Sequence, residues 1–201
     1  MEGDLIMATW TDFKVSGVTD TTPKNIMLGA GTLYKNLKLT GETMTGEIFG
    51  ATSGGTKLTI TPELFDIPVD GVTVKAKGLV QKVGETATIE TNMVELTKDW
   101  VKATVIGTDG TSTDTRFDVI ESKARIEDSD YIEGFAYVGF MTDGTPCVVM
   151  FDYALCTSGF STEGKNKENA VFPATFECYA PLTEGATDKL PYRIYVAKKT
   201  A

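Results

Sequence analysis

The chain has 201 residues, a length that suits one domain with arms, and carries 19 Lys+Arg against 28 Asp+Glu for a net charge of −9. It contains no histidine, so a Ser-His-Asp triad, a Cys-His pair and any His-containing zinc site are excluded. The acidic balance argues against gripping phosphate backbones, which takes clustered Lys and Arg, while 41% hydrophobic residues are too many for a disordered polymer.

Taken in order, residues 1–16 read as an N-terminal arm, with acids where a secretory leader needs bases. Asn25 to Lys35 contains Gly29-Ala-Gly31, which would open a dinucleotide fingerprint, but Tyr34 stands where the third glycine is required. The segment reads instead as a tight passage into a strand. The polar stretch Thr40–Gly55 predicts a loop. Gly50 to Lys57 approaches a phosphate loop, but Thr56 separates the second glycine from the lysine and a strand pattern follows where a helix is needed. A flexible Gly/Ser connection fits better.

From Thr56 to Pro62 the period is two, with Leu58 and Ile60 on one face. Asp70-Gly71 signals a turn. Gly71 to Lys77 alternates again, aligning Val72, Val74 and Ala76, and Glu85 to Met93 puts Ala87, Ile89 and Met93 on one face. One segment departs from this pattern. Thr97 is an N-cap, Asp99 lies in the first turn, Trp100, Val101, Thr104 and Val105 share a face, and Gly107 closes the segment. This predicts a short helix over Lys98–Ile106. A buried strand remains open as an alternative, since Val and Ile are poor helix formers.

Further strands are predicted over Arg116–Ser122, Tyr131–Met141, Cys147–Leu155, Ala170–Ala180 and Tyr192–Lys198. Asp143-Gly144 marks a tight hairpin between two of them. Glu127 to Glu133 fails as a calcium loop because Ile132 and Glu133 stand where the last Asp and the Gly of Asp-x-Asp-x-Asp-Gly are required, and reads as a solvated acidic turn. Thr157–Asn169, with the basic Lys165-Asn-Lys167, reads as a wet loop. Cys147, Cys156 and Cys178 are odd in number, lack Cys-x-x-Cys spacing and sit among apolar residues. They are expected to be reduced and buried, in a chain made in a reducing cytoplasm. The longest apolar run, Cys147–Phe151, is far too short for a membrane span. No composition shift divides the 201 residues, so a single domain is expected, mainly β, as a barrel or sandwich with one flanking helix.

The order and texture of several segments resemble the major tail tube proteins of tailed bacteriophages. These are Asn25–Lys35, Gly50–Pro62, Asp70–Gly78, Lys82–Glu90, Ala154–Gly159 and Phe176–Ala180. The resemblance implies a structural virion protein and no enzyme. Its subunits would form hexameric rings that stack into the hollow tail through which DNA is ejected, made in the host cytoplasm and placed in the virion. The implied partners are further copies of the chain, the tape measure protein, the tail terminator and the baseplate or tail tip proteins. DNA would pass without specific binding, and no membrane, cofactor, metal or nucleotide is involved.

It also implies a long hairpin in a ring-shaped inner barrel. The stretch from Gly71 to Glu95 is the candidate, with Val72 and Val74 on its apolar side and Lys75, Lys77, Thr86, Thr88 and Glu90 on its wet side. Trp100, Val101 and Val105 are assigned to the flanking helix. If each of six subunits gives about four strands at ~4.8 Å spacing and ~45° tilt, the circumference is roughly 160 Å, leaving a lumen wide enough for duplex DNA. The hairpin and the Thr40–Gly55 loop are expected to order when rings stack. A capsid decoration protein or a secreted Hcp-like ring module is the alternative. A carboxylate-based glycan hydrolase is a third possibility, and nothing in the residue spacing points to it.

Overall fold

The computed structural model describes residues 16–164 and 166–198. The predicted arm therefore lies, except for Ser16, outside the described residues, as does Lys165. The chain enters through a short 3-10 turn, Thr22–Asn25, and forms β1 (Met27–Thr40), β2 (Thr43–Gly50), β3 (Thr52–Asp66) and β4 (Val80–Met93). The helix α1 (Lys98–Val105) and a minor pair, β5 (Gly107–Asp109) with β6 (Ile120–Ser122), follow. Then come β7 (Ile132–Met141), β8 (Pro146–Cys156), β9 (Phe172–Cys178) and β10 (Tyr192–Val196).

The fold is mainly β, as predicted. Antiparallel pairing orders the main sheet β2-β1-β7-β8-β9-β4-β3, with β10 added beside β8. The N-terminal half of β8 pairs with β10 and its C-terminal end with β9, along the same edge. At Asp152–Tyr153 the alternation of β8 changes phase, so that Val149, Phe151, Ala154 and Cys156 all reach one core. Gly134, in β7 opposite this step, has φ +55, and a Cβ there would stand 2.7 Å from the backbone N and O of Leu37. Only glycine lets β1 and β7 close up at the bend. The sheet folds across this line into a sandwich. Its terminal strands β2 and β3 do not pair with each other, so the barrel form of the expectation is corrected to an open sheet whose two end strands have no second partner among the described residues.

The core follows from period-two patterning. Ala87, Ile89 and Met93 of β4 are buried together with Phe172, Ala174, Phe176 and Cys178 of β9. Phe176 centres an aromatic cluster, 4.6 Å from Phe135, 5.6 Å from Trp100 and 5.9 Å from Phe49 between ring centroids. Cys156 and Cys178 are buried as expected, whereas Cys147 is only half-buried, and all three are free. Burial pushes the Cys178 thiol up to about 12.

Several sequence expectations are corrected. Residues 43–50 form β2 rather than a loop, and the Gly-rich stretch runs into β3 through a bulge, where the register shifts between Thr52 and Thr56. Of Arg116–Ser122 only the last three residues are strand. Residues 71–77 are not a strand. They belong to the connection between β3 and β4, whose pairing with each other ends at Asp66 and Val80, so the segment has to reverse the chain. Positive φ at Gly71 and Gly78 instead bends it into turns, with Val72 N–H donating to Val69 O and Leu79 N–H to Ala76 O.

The helix starts as predicted, the Thr97 hydroxyl accepting from Trp100 N–H at 3.2 Å. Its left-handed C-terminal residue is Ile106, φ 52, rather than a glycine. Gly107 is needed for a different reason: a Cβ there would lie 2.6 Å from Ile120 Cγ2 of β6. Among the described residues, no helix is long and apolar enough to cross a membrane.

Candidate assembly surfaces

The first surface is the outer face of β9-β4-β3. Register places Lys57 opposite Glu90, Thr59 opposite Thr88 and Thr61 opposite Thr86, while Glu90 and Thr88 meet Thr175 and Glu177 of β9. Because the same strands bury the alternate residues, this face is mostly polar, with Pro173 opposite Asn92 at one end. Glu63 is on the same side, two residues beyond Thr61. One lysine (Lys57) against three glutamates (Glu63, Glu90, Glu177) gives the face −2. Lys57 Nζ bonds Glu90 Oε1 at 2.7 Å between exposed side chains, an arrangement that adds little stability. The structure thus brings the predicted Thr86, Thr88 and Glu90 together.

The partners of these three on β3 and β9, namely Lys57, Thr59, Thr61, Thr175 and Glu177, were not singled out from sequence. The signal was present. They are the complement of Leu58 and Ile60 in one strand and of Ala174 and Phe176 in the other, and only the pairing shows that the two complements share a face.

The second surface is the distal half of the β3–β4 hairpin. Ala87 and its partner Ile60 are the last residues packed on the core. Six residues of β3 continue past this point, a projection of about 20 Å. Beyond it are exposed apolar side chains: Leu64 63%, Phe65 51%, Val72 43%, Val74 75% and Val83 55%. The predicted Val72, Val74, Lys75 and Lys77 all lie here, in the 67–79 connection, and so do not share the strands that hold Thr86, Thr88 and Glu90.

Lys75 Nζ meets Asp66 Oδ2 at 2.9 Å, and that bond raises the ammonium above its ordinary range. At the base of the projection Glu85 is a strut. Its Oε1 accepts from Lys82 Nζ at 2.6 Å and from Tyr192 OH at 3.0 Å, tying the hairpin to β10. The Lys82 bond holds the Glu85 carboxyl below the usual carboxylate range, against the opposing effect of burial and with help from Tyr192.

The helix residues do not act as one face. Trp100 is fully buried, and Thr104, one turn on, is buried with its hydroxyl donating to Trp100 O at 3.0 Å. Val101 is half-buried and Val105 is 41% exposed, since five residues carry Val105 about 140° round from Trp100. Near the helix Lys35 Nζ joins Asp99 and Glu47, and the Asp99 bond raises its pKa. The acidic turn folds on itself as a capped 3-10 turn, Asp128–Asp130, with Lys123 bridging Glu127 and Asp130.

Among the described residues no cluster of Cys, Asp or Glu is arranged to hold a metal ion. Among the described residues the arrangement offers unpaired sheet edges at β2 and β3, one wet sheet face and one projecting apolar tip. No protein-family model matches the chain, and no curated protein is similar enough to match it.

Proposed function

We propose that this chain is a structural subunit that polymerises edge to edge into hexameric rings, and that the rings stack into a hollow phage tail tube through which DNA is ejected. The observation that carries the reading is the coupling of three features in one hairpin. β3 is a free edge strand among the described residues, the outer face it shares with β4 and β9 is threonine-rich with net −2, and the hairpin's far end projects apolar side chains into water.

A long two-stranded projection is marginal alone, and a free edge is a liability unless something pairs with it. A neighbouring copy supplies both needs. The two free edges, β2 and β3, lie at opposite ends of one sheet. A β2-to-β3 contact is therefore heterologous and closes into a ring or runs on as a filament. The wet face would then line the lumen. A wall of threonine and glutamate repels the duplex, whereas a lysine-rich wall would release counterions on contact and hold it.

Negative-stain imaging of purified protein over a range of concentrations tests this. Hollow tubes of uniform bore are expected. A compact monomer at every concentration overturns the reading, and isolated rings that never stack favour the decoration or secreted-ring alternative.

A further inference from the structure

The edge that β3 leaves unpaired among the described residues is not uniform. Ile67 N–H donates to Leu79 O at 2.7 Å, so Ile67 turns its peptide groups toward the chain leading into β4. Backbone groups alternate between the two sides of a strand. The nearest irregularity of the ladder, between Glu63 and Leu64, adds Val83 to β4 and leaves β3 regular. Phe65, Glu63 and Thr61 therefore also face β4, while Leu64, Pro62, Ile60, Leu58 and Thr56 face the free edge. Pro62 is paired with Glu85 and costs that ladder nothing, because the donor it lacks points outward. On the outer side it removes a donor and puts its pyrrolidine in the path of an approaching strand. Toward the start of β3 the regular edge ends at Gly54 and Gly55, whose φ values are 76 and 86 in the bulge. What remains open to a full ladder is Thr56–Thr61.

The edge of β2 matches this stretch. The two-residue loop Gly41–Glu42 makes Thr40 and Thr43 the closing pair of the β1–β2 hairpin. The extra residue between Lys35 and Lys38 lies on β1, so β2 stays regular. Thr43, Thr45 and Glu47 face β1, and Met44, Gly46 and Ile48 face outward. These three stand against Thr56, Leu58 and Ile60, and no proline interrupts β2. We propose that Pro62 sets the joint between copies: β2 of a neighbouring copy adds to Thr56–Thr61 of β3, running parallel to it, and Pro62 ends the ladder. The direction follows from the topology. Every ladder on the path from β2 to β3 is antiparallel, and seven strands lie on that path, so the first and the last run the same way. Ala51 alone carries the chain from β2 into β3, without a reversal. A six-membered ring turns each copy by about 60°, too little to reverse a strand. The inference rests on the ring reading and adds the joint's direction, its extent and its stop. Pro62 also opposes a competitor. Two β3 edges meeting about a two-fold axis pair antiparallel and consume the edge the ring needs, and a long pairing of that kind has to run past Pro62.

Cysteine pairs read the direction. Met44 and Ile48 are 42% and 64% exposed, Lys57 and Thr61 are exposed, and each pair is spaced about 13 Å along its strand. The double variants Met44→Cys/Lys57→Cys and Ile48→Cys/Thr61→Cys, assembled and treated with bismaleimidoethane, are expected to give a ladder of covalent oligomers. Met44→Cys/Thr61→Cys and Ile48→Cys/Lys57→Cys are expected to stay monomeric on a denaturing gel, like the unsubstituted chain with its half-buried Cys147. The reverse pattern overturns the direction, and tubes without any of these cross-links overturn the joint. Failure of the unsubstituted chain to form tubes tells against the ring reading and is seen before any cross-link. Pro62→Thr is read on the dilute subunit and needs no tubes. With the donor restored, the dimer-to-monomer ratio in analytical ultracentrifugation is expected to rise about fivefold or more, the equivalent of one ladder hydrogen bond. A variant as monomeric as the unsubstituted chain overturns the role of Pro62.

Discussion

Replacing Phe65 with Ser separates assembly from folding. Phe65 sits past the last core residue of the hairpin and is 51% exposed. A phenylalanine presents roughly 200 Å², so about 100 Å² is still in water in the free subunit. Burying that area against a neighbour contributes about 2.5 kcal/mol at ~25 cal/mol per Å². Serine keeps the backbone pairing with Gln81 and loses this term, which raises the critical concentration for polymerisation about 60-fold.

The assay is pelleting or light scattering against protein concentration, beside a thermal melt of the unassembled subunit. The melt is expected to shift by no more than about 4 °C, because a surface change of up to ~1 kcal/mol moves a domain of this size by that amount. An unchanged critical concentration refutes the tip's role in assembly. A large fall in melting temperature refutes its independence from the core.

Other expectations are as direct. Glu90→Lys takes the wet face from −2 to 0, and on the assembly reading the variant still forms tubes but retains duplex DNA at low salt and slows ejection; equal passage through both tubes removes Glu90 from the argument. Phe176→Ala empties the centre of the aromatic cluster and costs about 3–5 kcal/mol in denaturant unfolding; a loss below ~1 kcal/mol contradicts the packing. Because the Glu85 carboxyl lies below its ordinary value of 4.5 in the fold, its stabilisation is fully present above the unfolded value and disappears as pH falls through the lower folded one. Glu85→Gln should therefore lower the melting temperature at neutral pH and flatten its decline below pH 4.5, and an unaltered acid profile would show that the strut adds no stability.

The sequence by itself determined the chemistry the chain lacks and most of its local elements. The absence of histidine needs no fold to exclude imidazole catalysis. The alternation at Glu85–Met93 predicted which residues of β4 point inward, because the period of two is a property of the extended backbone. The Thr97 cap and the Asp143-Gly144 hairpin were legible for the same reason, being set by residues within a few positions of one another.

What required the tertiary structure was every question of partner choice. Val72, Val74 and Ala76 alternate like a strand and form turns, since the pairing of Asp66 with Val80 makes their segment the connection that reverses the chain. Residues 43–50 look like a loop and become β2, since β1 offers an open edge. The wet face exists only because the register brings Lys57 and Thr59 of β3, Glu90 and Thr88 of β4, and Thr175 and Glu177 of β9 to one side. Strand pairing is a long-range contact, and which edges remain free depends on the whole sheet, so no local pattern encodes it.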